Sequence, residues 1–296
     1  MPPTTETRVS DIIETGVPPI DVRQYDLPLT SLRVGVAGSG PPVIMVPATI
    51  SLIEDWSTLI QFIGQKYTAH FFELPGHGGS TPFEGGYTAA KVTQTIGDLA
   101  DAIGAERFAL LGFSFGGLLT LKALQQHEER IDRVVLFAPF VTNKALRHSP
   151  AKLALLRSTI VALRPELARR GMLYLLKNPA TVSIIDWYMR FVGKFETAAD
   201  LSERLSGFSS STLDVLLAQV EHILSAKEED VAGPFATPCL FGMSVNDPML
   251  DFNITAQFVN EHFENIHEVR WDWPYHAAPK PPSVAEYNRD FAELLD

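Results

Sequence analysis

An α/β fold, with a mostly parallel central sheet and helices on both faces, is predicted by three features of this chain. Short apolar strand patterns alternate with helical patterns along most of its length. One such unit, Phe108 to Thr120, joins an apolar run to a helical run through Gly112-Phe-Ser-Phe-Gly116, the spacing of a sharp strand-to-helix turn. At 296 residues and 46% hydrophobic content, the chain supports one large core with an insertion.

Residues 1–24 are polar and proline-containing and are expected to form a loose arm. Ser31 to Ala37 alternates and meets the turn cluster Gly38-Ser-Gly-Pro-Pro42, so it reads as a strand. Val43–Val46 is a short apolar strand, and Tyr67–Phe72 is another that runs into Leu74-Pro-Gly-His-Gly-Gly-Ser80. Thr88 to Gly104 carries Val92, Ile96, Leu99 and Ile103, a helical stripe closed by a glycine. Phe108–Leu111 reads as a fully buried strand and Gly117–Leu124 as the start of a helix. Asp132–Phe137, Thr237–Gly242 and Glu268–Trp271 follow as strands, and Phe252–Phe263 and Val284–Leu295 as helices. Between about 142 and 235 the alternation lapses into helical patterns, for example Leu213, Leu216, Leu217, Val220, Ile223 and Leu224. The expected organisation is therefore a core of residues 25–140 and 211–296, with a helical cap insertion at 141–210 standing over the sheet.

The formal net charge of −11 argues against nucleic acid as a partner, because phosphate binding needs a basic footprint. The charge is uneven: Thr142 to Lys194 carries +8, leaving −19 on the remainder. No apolar run is long enough to span a membrane, and the N-terminus lacks a basic-then-apolar leader pattern. The single cysteine, Cys239, lies in an apolar run; it excludes an internal disulfide and any cysteine-cluster metal site. A cytoplasmic location is the expectation from these features.

Ser114 is the candidate nucleophile. A serine on so tight a turn sits in a strained backbone conformation, and the flanking glycines make room for neighbouring chain. The turn lifts the hydroxyl beyond the sheet and sets the next N–H groups at a helix N-terminus, where negative charge is stabilised. In an open α/β sheet the reactive groups collect beyond the carboxyl ends of the strands. Of eight histidines, His70 lies within a strand, His267 begins one, His127, His222 and His262 are helical, His148 is in the insertion and His77 sits in a glycine-rich turn. His276 follows the last strand on a loop and is the candidate general base. Asp247, in Gly242-Met-Ser-Val-Asn-Asp-Pro248 after the penultimate strand, is the candidate acid, with Asp251 a weaker rival nearer the following helix. The loop after the 132–137 strand offers no carboxylate.

The order Ser114…Asp247…His276 and five motifs in register resemble the α/β-hydrolase fold superfamily over about residues 30–296. The motifs are Ala37-Gly-Ser-Gly-Pro-Pro42, Val43 to Trp56, Leu74 to Ser80, Gly112 to Gly117, and Gly242 to Pro248 with His276 and Pro279. The resemblance implies a serine-nucleophile member in which the N–H of Phe115 and an N–H of the 47–51 loop, here assigned to Thr49, bind an oxyanion. Three departures stand out: Pro47-Ala48 replaces the usual His-Gly, Glu73 the usual Asp, and Tyr275 the usual Gly before the histidine. Relatives that open epoxides or remove halides use an aspartate nucleophile, so Ser114 counts against those activities.

The leading reading is a hydrolase of carboxylic esters, of carboxylesterase, thioesterase or lactonase type, acting on a small molecule with an apolar acyl group, with or without an anionic part. The chemistry requires no metal or organic cofactor. A second reading is a C–C bond hydrolase or lyase whose anionic substrate is clamped by Arg169 and Arg170 of the basic insertion. The bland account of that charge is a solvated helix face leaning on an acidic body. Met172, Tyr174, Trp187, Tyr188, Met189 and Phe191 line an apolar pocket on one reading and pack helices on the other. A third reading is a ligand sensor that keeps the fold without catalysis.

Overall fold

A computed structural model describes residues 5–9, 16–184, 207–278 and 280–295, with side chains from residue 16 onward. Nine strands form one sheet: β1 (Thr5–Val9), β2 (Ile20–Asp26), β3 (Ser31–Ala37), β4 (Pro42–Val46), β5 (Thr68–Phe72), β6 (Phe108–Phe113), β7 (Ile131–Phe137), β8 (Cys239–Ser244) and β9 (Ile266–Trp271). Their order across the sheet is β1-β2-β3-β5-β4-β6-β7-β8-β9. The first three pairings, β1 with β2, β2 with β3 and β3 with β5, are antiparallel, and all others are parallel. Strand β6 is buried at every position, as a strand covered on both faces must be.

The helices are α1 (Ser57–Ile63), α2 (Ala89–Ala102), α3 (Phe115–His127), α4 (Pro150–Ala162), α5 (Glu166–Leu176), α6 (Ser210–Ser225), α7 (Phe252–His262) and α8 (Val284–Asp290). Helix α2 begins where Thr88 accepts a hydrogen bond from the Lys91 N–H, and its buried Val92, Ile96 and Leu99 are the stripe read from the sequence. The C-terminal helix is shorter than expected: α8 stops at Asp290, and Ala292–Leu295 is a 3₁₀ turn that buries Leu294.

The loose arm expected over residues 1–24 is corrected in part, because residues 5–9 and 20–24 belong to the antiparallel edge of the sheet. Ile20 and Val22 bury one side of β2 and Tyr25 is buried on the other, and its ladder with β3 runs from Asp21↔Val36 to Asp26↔Ser31. Helix α1 was also not read from the sequence. It lies between the β4 loop and β5 and buries Leu59, Ile60, Phe62 and Ile63. Cys239 is buried in β8, where burial pushes its thiol pKa up and away from reactivity.

Helices α4, α5 and α6 occupy the interval between β7 and β8. Helix α6 returns to the core, burying Leu213, Val215, Gln219 and Leu224. On α5, Tyr174 is 72% exposed. Trp187, Tyr188, Met189 and Phe191 lie outside the described residues, as do Asp186, Arg190 and Lys194. The basic surface is largely paired. Arg164 meets Glu221 at 2.9 Å, Arg169 meets Asp214 at 2.7 Å, Arg170 meets Glu166 at 2.5 Å and Lys144 meets Glu228 at 2.7 Å. Arg169 and Arg170 thus each meet an acid, Arg170 in an exposed pair one helical turn along α5. The +8 segment leans on acidic neighbours, chiefly those of α6 and the turn that follows it.

Candidate active site

Ser114 heads α3 directly after β6, with φ 52° and ψ −123°. Such a conformation is costly for a residue with a side chain, on the order of 1–3 kcal/mol, and persists only where its surroundings enforce it. The enforcement is visible on three sides. Ser114 N–H donates to Phe137 O at 3.2 Å, and its own carbonyl accepts from Gly117 N–H at 2.9 Å and Phe140 N–H at 2.8 Å. A Cβ on Gly112 would lie 2.6 Å from the Gly116 carbonyl oxygen, so the strand and helix arms of the turn meet backbone to backbone.

Gly116 faces the other way. A Cβ there would lie 2.3 Å from Val46 O and 2.8 Å from Pro47 O. The chain leaving β4 thus rests directly on the turn that carries Ser114, and Thr49 stands half-buried two residues past that contact, next to Ile50 with φ 49°. Gly116→Ala must push the 46–47 backbone away and move the 47–51 turn with it. We expect kcat to fall by about 10²-fold, the scale of one displaced oxyanion donor, with KM changed far less. Steady-state kinetics beside thermal unfolding check this, and an unchanged kcat contradicts it.

A buried carboxylate secures that turn from behind. Glu73 is fully buried at the end of β5; its Oε1 accepts from Arg33 Nη1 at 2.6 Å and from Ile53 N–H at 3.2 Å, and its Oε2 accepts from Gly79 N–H at 2.6 Å. The extra methylene relative to aspartate lets one carboxylate join β3, the loop after β4 and the glycine-rich turn. His77, in that turn, is buried against α6, with its Nε2 3.4 Å from Gln219 Nε2.

Asp247 follows β8 and is 1% exposed. Its Oδ1 accepts from Met249 N–H at 2.8 Å and Leu250 N–H at 3.0 Å, leaving Oδ2 to face His276 Nδ1 at 2.6 Å. Burial alone would raise this carboxyl's pKa. The hydrogen bond and charge of His276, with the Leu250 and Met249 N–H groups, outweigh burial and hold it below the ordinary value. Arg147 Nη1 donates to the Asp247 carbonyl at 3.1 Å, fastening the acid loop to the chain beyond β7. The rival Asp251 is engaged elsewhere: it caps α7 by accepting from Asn253 and Ile254 N–H, and it pairs with Arg147.

His276 closes the arrangement. Its Nε2 lies 2.8 Å from Ser114 Oγ, and its ring packs on Phe113 with centroids 5.2 Å apart. With Asp247 accepting from Nδ1–H, Nε2 is left as the acceptor for the serine hydroxyl proton. Other histidines are unsuited to that work: burial pushes His70 and His77 down to about 4. The structure thus brings Ser114, His276 and Asp247 into one hydrogen-bonded chain, sets Phe115 at the first turn of α3 and places Thr49 in the neighbouring turn. Among the described residues, no group of three His, Cys, Asp or Glu side chains is placed to hold a metal ion, and no helix is long and apolar enough to cross a membrane. The anchors Glu73, Arg33 and Arg147 were not assigned roles from the sequence; only Glu73 left a trace there, as a departure from the expected aspartate.

A strained serine between a strand and a helix, hydrogen-bonded to a loop histidine and through it to a buried aspartate, on this strand order, defines the serine-nucleophile class of α/β folds. A family model described as alpha/beta hydrolase fold matches residues 41–204, and the chain belongs to that family. It is similar to pimeloyl-[acyl-carrier protein] methyl ester esterase of Nitrosomonas europaea, with 26% identity over 110 residues, covering 37% of this chain and 42% of that protein. It is also similar to N-formylmaleamate deformylase of Pseudomonas putida, with 28% identity over 123 residues, covering 41% of this chain and 45% of that one. The chain thus spans less than half the length of these curated relatives. Among solved structures, the enol-lactonase of Burkholderia xenovorans superposes with a TM-score of 0.63 at 16% identity, over 92% of this chain and 96% of that one, a likeness of fold.

Proposed function

We propose that this protein is a serine hydrolase of carboxylic esters, of carboxylesterase, thioesterase or lactonase type. The observation that carries the reading is the unbroken relay from Asp247 Oδ2 through His276 to Ser114 Oγ, at 2.6 and 2.8 Å. A neutral serine is a poor nucleophile until a base takes its proton. In the proposed cycle Ser114 Oγ attacks the ester carbonyl as its proton passes to His276 Nε2, and Asp247 stabilises the resulting imidazolium. The tetrahedral oxyanion is held by the N–H groups of Phe115 and Thr49, each contributing about 3 kcal/mol of barrier lowering. Collapse expels the alkoxide, which leaves with the proton from His276 as the alcohol. Water, deprotonated by the same nitrogen, then attacks the acyl-enzyme and releases the acid.

The pimeloyl-[acyl-carrier protein] methyl ester esterase named above supports an ester bond, whereas solved structures of like fold include meta-cleavage product hydrolases as well as the enol-lactonase and do not separate the two chemistries. The cap reading is retained as part of this proposal: α4 and α5 lie in the chain between β7 and β8, within the 141–210 insertion, which supports it. Pairing of Arg169 and Arg170 with acids weakens the case for a clamp on an anionic substrate. Initial rates on a series of p-nitrophenyl acyl esters, beside a vinylogous 1,5-diketone acid, test the assignment. Saturable ester turnover that varies with acyl length is expected. Negligible ester turnover with rapid cleavage of the diketone would make the C–C reading the correct one, and no turnover of either would favour a ligand sensor.

A further inference from the structure

We infer that Ser244, at the last position of β8, is a positioning residue that sets the spacing between Asp247 and His276. The inference rests on the proposed roles of those two residues. Asp247 and His276 stand on separate loops, each leaving the end of its own strand, and each is three residues past one partner of a single side-chain staple: Ser244 on β8 and Trp273 beyond β9. Parallel pairing of the two strands runs in register as far as Ser244↔Trp271, and one further main-chain bond, Val245 N–H to Trp271 O at 2.9 Å, follows it. Beyond that point a continued ladder would capture Trp273 through a main-chain carbonyl. Here the Ser244 hydroxyl takes over. It donates to Trp273 O at 2.6 Å and accepts from Trp273 N–H at 3.0 Å and from Asn246 N–H at 3.2 Å.

A hydroxyl has one proton and two lone pairs, so all of its hydrogen-bonding capacity is used. Ser244 is 4% exposed, which keeps water from competing for these bonds. One oxygen thereby fixes both polar groups of the Trp273 main chain and the start of the acid loop. The rest of the histidine loop is braced from its side chains: Trp273 stacks on Trp271 with centroids 5.1 Å apart and lies 4.7 Å from Phe291, and Tyr275 stacks on Trp273 at 5.8 Å. A second side-chain tie, from Asn246 to Asp272, links the same two loops nearer the surface. Only two residues intervene on each side before the reacting groups, Val245 and Asn246 before Asp247 and Pro274 and Tyr275 before His276, short enough to transmit its register to the 2.6 Å contact between Asp247 Oδ2 and His276 Nδ1.

The test compares Ser244→Ala, which removes the hydroxyl, with Ser244→Thr, which keeps it on a side chain suited to a strand. The first readout needs no substrate: the far-downfield proton signal of His276 Nδ1–H, assigned by its disappearance in His276→Gln. Ser244→Ala is expected to shift or broaden that signal and Ser244→Thr to retain it. The second readout is kinetic. Loss of alignment is expected to lower kcat by about 10- to 100-fold with KM within about twofold, and Thr is expected to restore most of the loss. A wild-type downfield signal and wild-type kcat in Ser244→Ala would overturn the inference. So would an equal loss in Ala and Thr variants that remain folded by thermal unfolding. If the wild-type protein turns over no ester, the hydrolase reading fails while the resonance still decides the role of Ser244.

Discussion

Replacing Ser114 by alanine is expected to lower ester turnover by about 10⁵- to 10⁶-fold while leaving the fold intact. The size follows from the absence of a substitute: among the described residues, Ser114 Oγ is the one hydroxyl hydrogen-bonded to His276 Nε2. Alanine has the same Cβ as serine, so it inherits the positive φ without adding a clash. Its thermal unfolding midpoint should therefore lie close to wild type. Ser114→Gly separates function from strain more sharply. Glycine adopts φ near +50° without penalty, so this variant should be as inactive as alanine yet more stable by about 1 kcal/mol. Kinetics and thermal unfolding on the three proteins check both halves. A Ser114→Ala protein retaining more than a few per cent of wild-type kcat would remove Ser114 from the chemistry.

Asp247→Asn is expected to cost about 10⁴-fold in kcat, and the local hydrogen bonds say why an isosteric change is so damaging. The Oδ1 position must accept from two N–H groups, those of Met249 and Leu250, so the amide oxygen is held there. The amide NH₂ is then turned toward His276 Nδ1, where the carboxylate formerly accepted a hydrogen bond. Imidazole adapts by carrying its proton on Nε2, which disables it as a base toward Ser114. The same substitution has a pH signature. Asp247 has a lower pKa in the folded protein than its ordinary value. Its ionised form therefore adds stability above the unfolded-state pKa of about 3.9, and that stability is lost as pH falls through the lower folded-state value. The gap in unfolding temperature between wild type and Asp247→Asn should be full near neutrality and close as the solution is acidified below about pH 4. A gap that does not change with pH would mean that the carboxylate charge is not what Asp247 contributes.

The parts of this site that were legible in the sequence are those whose physical demands are local. A strained turn requires glycines within two residues of the serine, so Gly112 and Gly116 announce it. Asp247 and His276 are each the carboxylate or imidazole that follows a strand: β8 is buried at every position and easy to recognise, while β9 buries only Val269 and shows as a short run with an apolar residue between charged ones. What escaped detection depends on partners far along the chain. Strand β2 is preceded by Pro18-Pro19 and carries charged and polar residues, and its pairing with β1 and β3 is what makes it a strand. The pairing of Arg169 with Asp214 spans 45 positions, and nothing near either residue marks it. Ser244 reads in sequence as one more small residue in a turn-forming stretch; its partner lies 29 residues on, and only the juxtaposition of two strand ends gives the hydroxyl a task.

The central claim is that an activated oxygen at position 114 becomes covalently acylated. Reaction of the protein with a fluorophosphonate, followed by peptide mass spectrometry, tests this most directly. The account predicts a single adduct on the peptide containing Ser114 in the wild-type protein, with labelling slowed by orders of magnitude in His276→Gln. An unmodified Ser114 after prolonged exposure of the folded wild-type protein, or labelling at an unchanged rate when His276 is replaced, would contradict it.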